Sequence, residues 1–312
     1  MIDYRYHLTS LAAVFLALGI GVALGAGPLQ ATVSDALSGE VASVREQNAN
    51  LNEEVRSLQA DISRSENYLS ELGKQVNHNL LSGYSTALLV FPGVASADVE
   101  KTVQSLTATG AQVSVVNLTE KLLNTGFSQY RSSLAPQLVG YLETAPSGDA
   151  STEEIMGLAV MTALADTDQH ATLKNILTNP DNPLITLPGA PIKATSFVIL
   201  TPSVKPETPA AQAVTAEEVQ AAVFDYASLI TPFASAPQSA VVLGDAQTSD
   251  AVLSYIRNQA AQLTTVDSFP SSQAFVSLPQ ALKTASTEQR AFGSQQGASL
   301  TVPTLTINTQ AN

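Results

Sequence analysis

From Leu8 to Ser34 the chain carries no ionisable side chain, and residues 8–27 read LTSLAAVFLALGIGVALGAG. At about 1.5 Å of rise per residue, roughly 20 such residues wound as an α-helix match the hydrocarbon thickness of a bilayer. The stretch is therefore a membrane helix or an export signal. Before it stand only Arg5 and His7 as cationic side chains, opposed by Asp3. The apolar run is also longer than the ~7–15 residues of a signal-peptide core. Ala23 and Gly25 would serve as a cleavage pair, but the balance favours a retained anchor. Arg5 on the short side, with Asp35 and Glu40 on the far side, predicts a single-pass protein of the cytoplasmic membrane. Residues 1–7 are then cytoplasmic, 8–27 span the membrane, and the bulk of the chain lies in the periplasmic or cell-wall space. Gly21 and Gly25 form a G-x-x-x-G pair, the small-residue spacing that lets two membrane helices approach closely.

Residues 30–80 read as a coiled coil. With Leu37 placed at d, the d positions are Leu37, Val44, Leu51, Leu58, Ser65, Leu72 and Asn79. The a positions are Val41, Asn48, Val55, Ile62, Leu69 and Val76. β-Branched residues at a and Leu at d favour a parallel pair of helices, and a polar a residue such as Asn48 fixes register by meeting its own copy. A parallel homodimer is expected, with Leu37, Val41, Val44, Asn48, Leu51, Val55, Leu58, Ile62, Leu69, Leu72 and Val76 in its core. In that register Glu40 at g faces Arg45 at the next e. Asp61 faces Glu66, however, which is repulsive. The same stripe would also serve an amphipathic helix packed on its own domain.

After Gly83 the periodicity changes. Residues 85–91 (STALLVF), 112–118, 194–200, 239–243 and 262–266 have the composition of buried strands. Helical stretches stand between them at 97–107, 216–229 and 250–261. A block spanning 122–188 reads as a helical insertion with helices at 134–142, 152–165 and 171–177. Such alternation predicts an α/β domain over 84–292 with an open, mostly parallel sheet. Residues 293–312 form a polar tail with a late strand at 299–307.

Chemistry-bearing motifs are scarce. The 312 residues contain 14 Lys and Arg against 27 Asp and Glu, a formal charge of −13, which opposes nucleic-acid binding. There is no Cys, and His7, His78 and His170 are widely separated. The loops after the strands read PGVASAD, TPSVKPE and GDAQTSD, and none holds a dinucleotide or Walker-type glycine pattern. Gly244-Asp245 reads as a turn. Ser96 and Asp98 read as helix-start residues, and Glu153 and Glu154 as first-turn carboxylates that suit the helix dipole. Asp166, Asp168 and His170 read as a solvated connection between helices. No catalytic residue, metal ligand or cofactor is expected.

A start bearing Arg5-Tyr6-His7 runs directly into the alanine- and glycine-rich helix of MIDYRYHLTSLAAVFLALGIGVALG, and a coiled coil follows. This resembles the actinobacterial MctB/SteB family, also called the mycobacterial copper transport protein B family. The likeness covers the architecture of the whole chain, and its distinctive residues are roughly the first 27. The resemblance implies one of two functions. One is copper efflux or homeostasis through an outer-membrane channel. The other is cell separation, in which SteB and its partner SteA promote septal peptidoglycan cleavage by an NlpC/P60-type endopeptidase. Cuprous ion favours Cys or Met sulfur and cupric ion imidazole, and this chain has no Cys, only Met156 and Met161 beyond the initiator, and three widely separated His. A membrane barrel needs a series of antiparallel amphipathic strands that the pattern lacks. The expected function is therefore a membrane-anchored regulator of cell separation, with Asp3, Tyr4, Arg5, Tyr6 and His7 meeting a SteA-like partner. An enzyme working through the strand-end loops has fold analogy alone behind it.

Overall fold

The computed structural model describes residues 4–25, 28–165, 170–190, 192–202, 216–249, 251–259, 262–285 and 290–303. The chain divides into two units, Met1–Arg64 and Ser65–Asn312. In the first, helix α1 (Tyr4–Gly25) is long and apolar enough to cross a membrane. It is followed by α2 (Pro28–Val76), which opens on a proline, the residue best tolerated at a first helical position because its missing N–H has no partner there anyway. The side chains of α1 from Tyr4 to Ala23 are exposed, as an anchor written for lipid requires.

The second unit is built on a seven-stranded sheet. Its strands are β1 (Ser85–Val90), β2 (Gln112–Leu118), β3 (Ile185–Thr186), β4 (Ser196–Leu200), β5 (Ser239–Leu243), β6 (Thr264–Val266) and β7 (Ala291–Phe292), in the order β3-β2-β1-β4-β5-β6-β7. Every pairing is parallel except β2 with β3. The central strands β4 and β5 are buried at every residue, which explains why they read as continuous apolar runs rather than alternating ones.

Helices cover both faces. Ala87, Leu89 and Phe91, with Phe197, Ile199 and Val242, point to one core. There they meet α6 (Thr152–Ala165), α7 (Ala171–Leu177), α8 (Ala216–Ile230) and α9 (Val252–Asn258). Leu88, Val90, Val198 and Val241 point to the other, against α3 (Ser96–Ala108) and α10 (Ser272–Thr284). The alternation along β1 is the period-2 geometry of a strand. The expected α/β class and mostly parallel sheet are thus present, together with one N-terminal apolar helix and one long helix.

Several boundaries differ from the sequence reading, each for a local reason. Helix α2 ends at Val76, and Asn79 adopts a φ of +55°, so the expected d position at residue 79 lies outside the helix. The block after β2 begins with the short α4 (Glu120–Leu123) and continues into α5 (Ser128–Leu138), with a 3₁₀ turn over Val139–Tyr141 where helix had been expected to run on. The first turns of α5 look polar because their inward side chain is Arg131, which is fully buried. Helix α10 is not among the expected helices, and it runs through Pro279, a residue that disfavours a helix interior. Proline lacks the N–H that would bond Phe275 O in the turn before. That carbonyl instead accepts a hydrogen bond from Ser105 Oγ at 2.9 Å, tying α10 to α3. Of the expected late strand at 299–307, residues 299–303 show only an isolated parallel bridge of Leu300 with Phe292, and 304–307 lie outside the described residues, as do Asp166 and Asp168.

The residues after 290 are held by an ion pair. Asp267, at the carboxyl end of β6, is fully buried and accepts from Arg257 Nη1 (3.1 Å), Ser268 Oγ (2.7 Å), Ser294 N (3.0 Å) and Gln295 N (3.0 Å). Arg257 also donates to Phe292 O (3.0 Å), Gln296 O (2.8 Å) and Thr265 Oγ1 (3.0 Å). Gly293 passes so close to the Asp267 carboxylate, at a φ of +128°, that no side chain fits there. The start of the expected tail is therefore strapped into the sheet. Burial lowers the Arg257 pKa, and the hydrogen bond and charge of Asp267 offset only part of that shift. Removing one member of such a buried pair leaves an uncompensated charge, so Arg257→Met should cost about 3–5 kcal/mol of stability. Urea unfolding of the full chain in detergent measures this. An unchanged midpoint would mean that the backbone donors alone satisfy Asp267.

Candidate functional site

The heptad stripe is the most conspicuous unpartnered feature of the chain. Val41, Val44, Leu51, Val55, Leu58 and Ile62 are all exposed, Leu51 by 58% and Ile62 by 61%, although nothing in their chemistry favours water. Asn48 lies among them on the same helix and is exposed too. The side chain of Leu37, like those of the other residues from 24 to 38, lies outside the described residues. Gly21 has no heavy atom within 4 Å of the position a Cβ would occupy, so its face of α1 is open. Tyr4, Arg5, Tyr6 and His7 form the exposed first turn of α1. Asp3 lies outside the described residues.

Toward its end α2 changes partners. Its last turns, which belong to the same unit as the sheet, meet α10 through Glu66 and Gly73, followed by Asn77. Glu66 Oε2 accepts from Ser272 N at 2.6 Å, placing a carboxylate on the first N–H of α10, where the helix dipole favours it. A Cβ at residue 73 would stand 2.5 Å from Val276 Cγ2, so only glycine allows this approach. Asn77 donates to Val276 O at 2.8 Å and accepts from Gln280 Nε2 at 3.0 Å. Leu72 and Val76 remain exposed on the other side of the helix. An open groove of about 490 Å³ runs between these turns of α2, α3 and the start of α10, with Ser70, Lys74, Lys101, Ser105 and Phe275 among its walls.

At the carboxyl ends of the strands, where open parallel sheets bind ligands, the described residues make structural contacts. Between β1 and β4, Phe91 packs edge-on against Tyr226 at 5.3 Å, and a Cβ on Gly93 would lie 3.5 Å from Pro202. Asp245 Oδ1 accepts from Gln247 N at 3.2 Å, the turn role read from the sequence. Ser96 and Asp98 sit in the first turn of α3, and Glu153 and Glu154 in that of α6. Among the described residues no three His, Cys, Asp or Glu side chains gather in a metal-binding group. His170 Nε2 lies 3.8 Å from the exposed Glu143.

Two charged clusters escaped the sequence reading. One is the Arg257–Asp267 strap. In the other, Arg131 donates to Glu153 Oε1 from Nε (3.3 Å) and Nη2 (3.2 Å) and to Asn124 O from Nη1 (2.7 Å). Asp225 Oδ2 stands 3.7 Å away. Neither cluster has a local motif, because each joins side chains far apart in sequence. Only a lone arginine inside a helical stretch could have hinted at them. Burial raises the Asp225 pKa, repulsion from Glu153 raises it further, and Arg131 opposes both. Burial likewise raises that of Tyr226.

The native state thus holds the Asp225 proton more tightly than the unfolded chain does. This group's contribution to stability is complete below the unfolded value near pH ~4 and is lost as pH rises through the raised folded value. Asp225→Asn removes that loss. The variant's stability relative to the parent should climb between about pH 4 and pH 7 in urea unfolding at stepped pH. A gap that narrowed over this range would mean that the attraction to Arg131 dominates.

Comparison with known proteins gives these features a context. A family model described as "Copper transport outer membrane protein, MctB" matches residues 1–303. Relatives named "Copper transporter MctB" occur in Mycobacterium bovis and in Mycobacterium tuberculosis strains CDC 1551 and H37Rv. Each is 32% identical over 124 residues, covering 39% of this chain and 40% of the relative. The aligned part of the chain thus spans about two fifths of the length of the curated relatives it matches. With the family match covering residues 1–303 of the 312, the chain belongs to the MctB family.

Proposed function

We propose that this chain is a membrane-anchored, non-enzymatic scaffold of the cell envelope, working as a parallel homodimer. In this reading residues 1–7 engage a SteA-like partner in the cytoplasm. The part beyond the anchor promotes an NlpC/P60-type peptidoglycan endopeptidase during cell separation. The observation that carries it is the exposed apolar seam from Val41 to Ile62, directly after a helix fit to cross a membrane. A seam of that length in water calls for a second helix, and β-branched a positions with Leu at d suit a parallel pair.

A second reading, copper efflux or homeostasis, is favoured by the names that the family and its mycobacterial relatives carry. The donor set weighs against direct high-affinity capture. Cuprous ion prefers sulfur and cupric ion imidazole, whereas the chain has no Cys, three Met and three His. Of these, Met156 is buried in the core around α6. An open, helix-covered parallel sheet also differs from the closed antiparallel barrel that spans an outer membrane. A cytoplasmic-membrane anchor with its N-terminus inside fits the chain better.

Three measurements separate these readings. Removing residues 1–7 behind a new initiator should reduce co-purification of a SteA-like partner at least several-fold while leaving the unfolding midpoint unchanged; undiminished capture would sink that contact. Copper titration of the full chain in detergent should find no stoichiometric tight site, and one ion bound tightly per chain would restore the transport reading. Sedimentation of the full chain should give the mass of a dimer, and Asn48→Leu should raise its thermal midpoint while admitting larger species. A monomeric parent would refute the scaffold as described.

A further inference from the structure

The contacts at the end of α2 bear on how a second copy would pack. This inference rests on the parallel dimer proposed above and adds a component to its interface. In a parallel coil a g residue faces the e residue five positions on in its partner. Asp61 therefore faces Glu66 of the second copy, and Tyr68 faces Gly73. Both e positions are unusual. Residue 73 has no side chain, and the space its Cβ would fill is taken by Val276 of α10, whose Cγ2 stands 2.5 Å from that point. Residue 66 does not project a free carboxylate, because Glu66 Oε2 is bound to the first N–H of α10 at 2.6 Å. Asp61, for its part, pairs with Arg64 in its own helix.

We infer that α10 serves as the e flank of the dimer seam, with Val276 standing in for the missing side chain of residue 73 and Tyr68 of the second copy packing on it. Tyr68 is 69% exposed, an aromatic ring left in water at a g position. Val276 is half-buried and stands directly beside Gly73. The positive end of α10 at Ser272 offsets the Glu66 charge, so the one repulsive pair in the heptad register is relieved by the same helix. The groove lies off the seam. Its α2 residues occupy the e, b and f positions, as Gly73, Ser70 and Lys74 do, so a second copy at a and d leaves it open.

The absence of cysteine makes the test clean, since any disulfide must join introduced residues. Full-length Tyr68→Cys and Val276→Cys chains, differently tagged, are co-expressed, extracted in detergent and mildly oxidised, beside Asn48→Cys alone. The inference expects Asn48→Cys to cross-link to itself and the mixed pair to form covalent heterodimer several-fold above either single variant. Cross-linking at residue 48 without the mixed product would overturn the α10 flank while leaving the parallel dimer intact. No product at residue 48 would remove the dimer and this interface with it. As a second measurement, Tyr68→Ala should weaken association about ten-fold and Tyr68→Phe should not. Equal dimer strength in all three would also overturn the inference.

Discussion

Helix α10 depends on the end of α2 at three points, and much of the second unit depends on α10. Glu66 satisfies its first N–H, Gly73 makes room for Val276, and Asn77 takes a carbonyl at its middle. The helix contains Pro279, which removes an internal hydrogen bond and would weaken an isolated helix by about 3 kcal/mol. Its freed carbonyl is taken up by Ser105 of α3. A helix poor in its own terms is thus held by two neighbours, and in return it covers β5 and β6 with Ala274, Leu278 and Leu282. The last turns of α2 are consequently part of the sheet unit, which is why that unit begins at Ser65 and not at the first strand.

Elements that rely on one kind of contact were legible in the sequence. Strands β2 and β5 and helices α6 and α7 coincide with their expected bounds, because each is defined by its own local run of apolar side chains. Elements that depend on distant partners were not. α5 hides behind Arg131, whose burial is stabilised by Glu153, 22 residues on, and by the carbonyl of Asn124 in the turn before the helix. Strand β3 is two residues long and exists through its antiparallel pairing with β2. β7 and the strap that follows rest on Asp267, a residue with no local motif. The exposed seam was legible because seven-residue spacing is itself local. The e-side contacts of Glu66 and Gly73 were not, since they require knowing where α10 lies.

The same distinction bears on the charges. A chain with nearly twice as many acidic as basic residues has few cations to place, and two of its arginines are spent in the interior. Asp267 is four-fold hydrogen-bonded, and Glu153 and Asp225 share one guanidinium. Carboxylates that are engaged in this way fix loops and helix contacts. They are poorly placed to exchange a metal ion or a proton with a substrate.

A copper name and a chain so thin in soft donors are compatible if the metal is handled by something the chain organises and not by the chain itself. The physical features with surface to spare are the apolar seam, the open face of α1 at Gly21 and the groove beside α10. Each is suited to another polypeptide. Apolar area exposed along a helix gains free energy only when a matching surface removes it from water, at roughly 25 cal/mol per Å². An ion offers no such surface. The exposed apolar residues of the seam are therefore better suited to the assembly proposed above than to direct capture of an ion.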